Sequence, residues 1–309
     1  MDSRIKFRHL QVLIEVARHK SVGKAAEALH VTQPAVTRTM RELEDILETA
    51  LVEKDGRGIR LSHAGEIFLR HAGESVASVR RGLDSISQAL KDEGPPVRIG
   101  ALPTVSATVM PDVAADFLKL KTGSRLTVVT GENRWLLEEL RVGGLDLVVG
   151  RMAAPEMMTG LTFEPLYNEE VVFVVAADHP LAAGRNFSLS ELANYPVLMP
   201  TRGSVIRPYV DRLLLTNGIA AFPATIETVS DSFGRAFVAE HKAVWIISRG
   251  VVASELAAAR FRALEIDMAE TRGAVGLTRL AGAEPSTSLT HLMQTIRDRV
   301  SRRGSSFDS

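Results

Sequence analysis

The residues best suited to specific chemistry crowd into one short stretch near the N-terminus, "VTQPAVTRTMRELE" at positions 31–44. Gln33 carries the planar amide that pairs bidentately with adenine N6/N7, and Arg38 the fork that pairs with guanine O6/N7. The Ala35 methyl and Thr37 suit a thymine methyl or a phosphate. Thr32, Arg41 and the more distant Arg57 suit phosphates, which fix register on a duplex without reading its sequence. Pro34 belongs in the first turn of a helix, where its missing N–H costs nothing, and Thr32 is the predicted N-cap. Taken alone, the spacing fits a helix aimed at a DNA groove, and it also fits a solvated helix of a small bundle.

A second constellation lies in the C-terminal two-thirds. Thr104, Val105 and Ser106 follow the run "VRIGAL", at the point where a strand gives way to a helix with free N–H groups that favour an anion. Glu132 and Asn133 follow "RLTVVT", Arg151 follows "LDLVVG", and Arg202, Ser204 and Arg207 follow "YPVLM". Ligands of open α/β sheets sit outside the carboxyl ends of strands, so these residues are expected to face one cleft. Several arginines beside a helix N-terminus point to a carboxylate ligand. Each residue also has a plainer reading. Thr104 and Ser106 serve equally as helix caps, Arg151 as a lobe-to-lobe salt bridge, and Arg202 and Arg207 as solvated surface. Trp135 and Trp245 read as core.

Nothing in the chain asks for catalysis. There is no G-x-S-x-G elbow, no H-E-x-x-H, and no P-loop or G-x-G-x-x-G after a strand, and His179, His241 and His291 are scattered. With no cysteine, disulfides, thiolate-held zinc and Fe–S clusters are excluded. No enzyme activity, metal site or cofactor is expected.

The elements that must position these residues follow from patterning. The chain has 309 residues, 45% hydrophobic and 24% charged, an ordinary globular composition. No apolar run reaches the roughly 18–20 residues of a membrane span. No signal peptide is recognisable, so a cytoplasmic location is the default expectation. The net charge is zero but uneven: residues 1–91 hold 15 Lys/Arg against 12 Asp/Glu, and the remainder 22 against 25.

Three helices are predicted over residues 4–50. The first buries Phe7, Leu10, Ile14 and Ala17. The second is capped by Ser21 and turns Ala25, Ala26 and Leu29 inward. The third buries Val36, Met40, Leu43 and Leu47. "LVEKDGRGIRLS" alternates about Gly56-Arg57-Gly58 as a β-hairpin does. Leu69, Ala72, Val76, Val79, Leu83, Ile86 and Leu90 then keep 3,4 spacing, a heptad seam suited to pairing with another helix, which "DEGPP" ends. From residue 97, seven β runs alternate with helical stretches, which predicts α/β architecture with largely parallel sheets, as one large sheet or two linked lobes. A last helix is expected at about 286–300, with a disordered tail after it.

The stretch "FRHLQVLIEVARHKSVGKAAEALHVTQPAVTRTMRELEDILETALVEKDGRGIRLSHAG" resembles the LysR-type transcriptional regulators. The resemblance rests on "AAEALHVTQPAVTRTMRELE", on the wing "LVEKDGRGIRLSHAG" and on the linker helix behind it, and it extends over the whole chain. Val52 and Lys54 depart from the Phe and Arg many members carry in the wing. The resemblance implies a mainly α winged helix-turn-helix domain (1–62), a dimerisation linker helix (63–92) and an effector domain (93–303). That last domain would have two periplasmic-binding-protein-like α/β lobes, one of about 97–167 with 268–300 and the other of about 168–267. It implies double-stranded promoter DNA, a small inducer in the interlobe cleft, RNA polymerase, and a homodimer or homotetramer as partners. Thr104 and Asn133 match inducer-contacting positions in regulators of aromatic catabolism. "GPPVRIGALPTVSATVMP" and "LRVGGLDLVVGRMAAPEMMTGLTFEPLY" are similar to the pca-operon regulators of protocatechuate breakdown, which implies an activator sensing an aromatic-derived acid such as a carboxymuconate. Regulators of sugar uptake share much of this wording and would imply a sugar. A solute-binding α/β protein whose N-terminal helices only oligomerise is the reading from a different class.

Overall fold

The computed structural model describes residues 4–56, 58–91, 94–183 and 188–307, and the side chains of 81, 84, 85, 87–91 and 304–307 are outside that description. The chain forms two compact units, one of Met1–Pro95 with Glu138–Asp146 and one of Pro96–Leu137 with Leu147–Ser309.

The first unit begins with α1 (Phe7–His19), α2 (Val22–Ala28) and α3 (Gln33–Leu47). Left-handed residues break the chain between them: Lys20 ends α1, His30 sits in the α2–α3 turn and Glu48 ends α3. The Ser21 hydroxyl caps α2 by accepting from the Lys24 amide. The hairpin of β1 (Val52–Asp55) and β2 (Gly58–Leu61) follows, turning at Gly56 with φ +55°. The Glu44 carboxylate holds the start of this wing, accepting from the Leu51 and Val52 amides at 2.8 and 3.3 Å. Helix α4 (His63–Lys91) follows in the same unit. Gly65 in its first turn lies so close to the wing that a Cβ would sit 2.0 Å from the Leu51 carbonyl oxygen.

Leu13, Ala25, Val36, Leu43 and Leu51 form the centre of this core. The buried face of α1 differs from the sequence expectation: His9, Val12, Leu13, Ile14 and Val16 are buried, whereas Phe7 is 42% exposed. The apolar residues of α1 run almost continuously from Leu10 to Ala17, so periodicity alone selects no face. Leu69, Ala72 and Val76 pack into the unit core, while Val79, Leu83 and Ile86 are exposed. The Leu90 side chain lies outside the described residues.

The second unit holds two five-stranded sheets. The first has the order β4-β3-β5-β12-β6, from β3 (Val97–Ala101), β4 (Leu126–Thr130), β5 (Leu147–Arg151), β6 (Leu161–Glu169) and β12 (Gly273–Leu280). The second has the order β11-β7-β10-β8-β9, from β7 (Val171–Ala176), β8 (Val197–Met199), β9 (Thr225–Glu227), β10 (Val244–Ser248) and β11 (Phe261–Ala263). Around the first lie α5 (Pro103–Thr108), α6 (Met110–Lys119) and α11 (Thr287–Phe307), while α7 (Asn133–Arg141) follows β4 and has its residues from Glu138 onward in the first unit. Around the second lie α8 (Arg207–Thr216), α9 (Asp231–Glu240) and α10 (Ala253–Ala257).

Ile99, Val113, Phe117, Leu147, Leu292 and Ile296 fill the space beneath the first sheet. The second is covered on both faces, with Phe173, Val197 and Val210 on one side and Val174, Trp245 and Val238 on the other. This explains the unbroken apolar run "VVFVVA" of β7. Trp245 is core as expected, but Trp135 is 40% exposed.

The sheets are mixed, not largely parallel. β3 pairs parallel with β4 and β5, and β8 with β9 and β10; the pairings of β12 and β7 are antiparallel. The antiparallel strands arise where the chain passes between sheets without an intervening α-helix. It does so once from β6 to β7 and again from β11 to β12. Thr271, fully buried on the return passage, joins the two: its hydroxyl donates to the Met268 carbonyl at 2.7 Å and accepts from the Val171 amide at 3.0 Å.

The C-terminal helix also exceeds the expectation. It continues to Phe307 instead of ending in a disordered tail. Its middle carries Arg297, paired through two bonds to Glu164, and its late turns Arg303, bonded to Asp112 and to the Thr108 carbonyl.

Candidate nucleic-acid interface and effector cleft

In the first unit, α3 starts as its sequence demands. Thr32 is the extended N-cap residue, Pro34 lies in the first turn, and no acidic residue occupies that turn. The Thr32 hydroxyl makes no capping bond and stays available. Gln33, Pro34, Thr37, Arg38 and Arg41 line one shallow concavity together with Glu42 and Asp45. Ala35 is exposed on the same first turn, and the Arg38 side chain is 83% exposed. The buried residues Val36, Met40 and Leu43 fix the opposite face, so burial of one stripe presents the other. The positive end of a helix dipole and a free amide at the N-terminus favour a phosphate here. Arg57, assigned to the wing tip, lies outside the described residues.

Sequence reasoning missed Glu42, Arg8 and His9. The Glu42 carboxylate accepts from Arg38 Nε at 3.0 Å and from Arg8 Nη2 at 2.8 Å, with buried His9 Nε2 at 3.5 Å. These bonds, Arg8 first, hold the Glu42 carboxyl below the usual carboxylate range.

In the second unit, the carboxyl ends of β3, β4 and β5 open toward the second sheet. Thr104 is buried with its methyl near Gly250. The Ser106 hydroxyl meets Thr130 at 3.0 Å. Asn133 is buried, its amide 3.5 Å from the Arg151 carbonyl. Across the cleft, the Thr201 hydroxyl donates to Glu132 Oε1 at 2.8 Å. Arg202 and Ser204 lie on the same loop as Thr201, with Arg202 exposed.

Two expected cleft residues are placed elsewhere. Val105 is 1% exposed and packs in the core beneath the first sheet, because successive residues of α5 project about 100° apart and Val105 falls on the sheet side. Arg207 is fully engaged within its own sheet unit. Its guanidinium donates to Asp211 at 2.7 Å, to Glu227 at 2.7 Å and to the Pro200 carbonyl at 2.8 Å. That leaves little of its charge for a ligand.

Arg151 is the exception among these arginines. It is 6% exposed, donates through Nη2 to the Thr271 carbonyl, and lies 4.9 Å from the centre of the Tyr209 ring of α8. Its Nη1 is buried and has no hydrogen-bond partner among the described residues. Burial lowers its pKa, with Tyr209 and Glu169 opposing. Glu169, at the end of β6, is the buried acid nearby that sequence reasoning missed. Burial pushes its carboxyl up to about 7, although the Gly250 amide donating at 2.8 Å, Arg151 and Thr104 all favour the charged form. The only clue to it in the sequence was an acid placed against the apolar run of β7.

This arrangement of an N-terminal helix-turn-helix unit followed by two α/β lobes matches known proteins. Residues 7–66 match the bacterial regulatory helix-turn-helix protein, lysR family, and residues 91–301 match the LysR substrate binding domain. The chain belongs to the LysR family of DNA-binding transcriptional regulators, which are not enzymes. It is 56% identical over 298 residues to the HTH-type transcriptional regulator PcaQ of Agrobacterium fabrum, covering 96% of each chain. It is 32% identical over 296 residues to the uncharacterised HTH-type regulator YdcI of Escherichia coli, again covering 96% of each. Full-length CbnR complexed with its target DNA shares the fold at TM-score 0.54 and 21% identity, covering 96% of this chain and 100% of that one. Full-length LysG from Corynebacterium glutamicum with bound effector Arg shares it at TM-score 0.60 and 19% identity, covering 96% and 99%.

Proposed function

We propose that this regulator acts in the cytoplasm as a ligand-responsive activator of genes for aromatic-acid breakdown, of the protocatechuate kind, with a small carboxylate as inducer. The observation that carries the ligand class is Arg151, a buried guanidinium in the interlobe cleft with one nitrogen unpartnered among the described residues. A buried, unsatisfied charged donor costs free energy until an anion meets it. The 56% identity to PcaQ supports the pathway.

In this reading Thr104, Ser106 and Asn133 surround the inducer from the first lobe and Arg202 and Ser204 from the second. Thr32, Gln33, Pro34, Ala35, Thr37, Arg38, Arg41 and Arg57 meet the DNA, with Gln33 and Arg38 reading bases. The division into a DNA-binding domain (1–62), a linker helix (63–92) and an effector domain (93–303) belongs to the same proposal. So does pairing of two chains through the exposed α4 residues Val79, Leu83 and Ile86, to give a homodimer or homotetramer that meets RNA polymerase at the promoter.

A thermal-shift screen of the intact protein against protocatechuate, carboxymuconates and galactose tests the ligand. The acids are expected to raise the melting temperature, as any native-state ligand does. A shift with galactose alone would move the assignment to the sugar regulators.

A further inference from the structure

We infer that Glu42 is a positioning residue for base reading: it holds Arg38 in a fixed pose at the DNA face and is itself anchored from α1. The inference rests on Arg38 being the base-reading arginine.

A single exposed Arg–Glu pair four residues apart on a helix is worth little, because two long side chains must be ordered to make it. The arrangement here differs in two respects. First, the carboxylate is held on both oxygens. Oε1 accepts from Arg38 Nε at 3.0 Å, while Oε2 accepts from Arg8 Nη2 at 2.8 Å. His9, 2% exposed, closes the same side. The Lys6 amide donates to its Nδ1 at 3.1 Å, and its Nε2 lies 3.5 Å from Oε2. Glu42 is thereby tied to α1 and cannot swing with Arg38. Second, the bond to Arg38 uses Nε and leaves both terminal nitrogens of an 83% exposed side chain free of partners among the described residues. Those are the two donors that an end-on pairing with guanine O6 and N7 requires.

The charge argues the same way. Glu42 shares its concavity with Gln33, Thr37, Arg38 and Arg41, the surface turned toward phosphates. A carboxylate there repels every duplex regardless of sequence, so it weakens general binding. Its compensating use is to order the arginine before contact, which favours the correct base over others.

Removing Glu42 therefore acts in opposite directions on two measurable affinities, which a purely structural tie between α1 and α3 would not do. The experiment uses the full-length protein, a duplex it selects from a randomised pool, single-base-pair variants of that duplex, and unselected duplex as the nonspecific probe. E42A is expected to bind unselected duplex as tightly as wild type or tighter. Its preference at one base pair should fall by about tenfold, the range of one bidentate contact. E42Q keeps an acceptor for Arg38 Nε and is expected to recover part of that preference. R38A should lose preference at the same base pair, and adding E42A to it should cost nothing further in preference. An equal loss on selected and unselected duplex by E42A, or an undiminished preference, overturns the inference while leaving Arg38 as reader. An undiminished preference in R38A removes Arg38 as reader and the inference with it. Should E42A melt far below wild type, R8A, which frees Glu42 without removing it, is expected to reduce the same preference; its failure to do so also overturns the inference.

Discussion

Glu169→Gln is expected to make the protein more stable at alkaline pH, against the usual result of removing a buried charge. Glu169 has its carboxyl raised from 4.5 to about 7 by burial. In the unfolded chain it ionises near 4.5, so between 4.5 and 7 the native state binds more protons than the unfolded state. Stability then falls as pH rises through that window. The contribution is fully lost above the folded value, and a rise of this size amounts to about 3 kcal/mol. The substituted side-chain amide keeps an acceptor for the Gly250 N–H and carries no charge to desolvate. It forfeits the attraction to Arg151 and the Thr104 bond to a charged acceptor. The variant should therefore melt at nearly the same temperature as wild type near pH 5 and several degrees higher near pH 8, at about 2–4 °C per kcal/mol for a chain of this size. Differential scanning fluorimetry of both proteins across this range measures it. Parallel pH profiles for the two would refute the reasoning, because they would show that Glu169 is not the group that titrates.

Three further outcomes are expected. Leu83→Asp places a charge on the exposed stripe of α4 and should lower the solution mass in sedimentation equilibrium with little loss of secondary structure. Gly65→Ala drives a methyl to within 2.0 Å of the Leu51 carbonyl and should destabilise the first unit by about 1–3 kcal/mol, read as a lower midpoint in urea. Arg151→Ala should abolish the melting shift with the inducing acid while sparing DNA binding, whereas Arg207→Ala should lower the melting temperature but leave the inducer titration in place; reversal of that pair would exchange their roles.

The sequence carried most of what local chemistry controls. Ser21, Thr32 and Pro34 marked helix starts that the chain uses, and the apolar runs of β3, β5, β7 and β10 announced buried strands. The failures occur where tertiary partners decide. Three-residue β11 has no periodicity of its own and exists because β7 offers it an edge. β6 is not among the seven β runs because its apolar residues, Leu161, Phe163, Leu166 and Tyr167, do not keep one period around Pro165. At the site, an arginine's type announces affinity for carboxylates but not whether the fold already supplies them. Asp211 and Glu227 claim Arg207, and only the three-dimensional path of β9 and α8 reveals it. Glu42 looked like ordinary surface charge until Arg8 arrived from another helix.

The Thr271 junction also bears on how such a domain is assembled. Chain enters the second sheet at Val171 and has left it by Thr271, and these two residues are hydrogen-bonded to each other at 3.0 Å. Everything between them is thus a cassette whose two ends touch. A short turn could close the gap left by its excision, and a foreign cassette with adjoining ends could be spliced into the same doorway. The second lobe is in that sense exchangeable cargo on a scaffold whose own sheet is completed by β12 after the insertion ends.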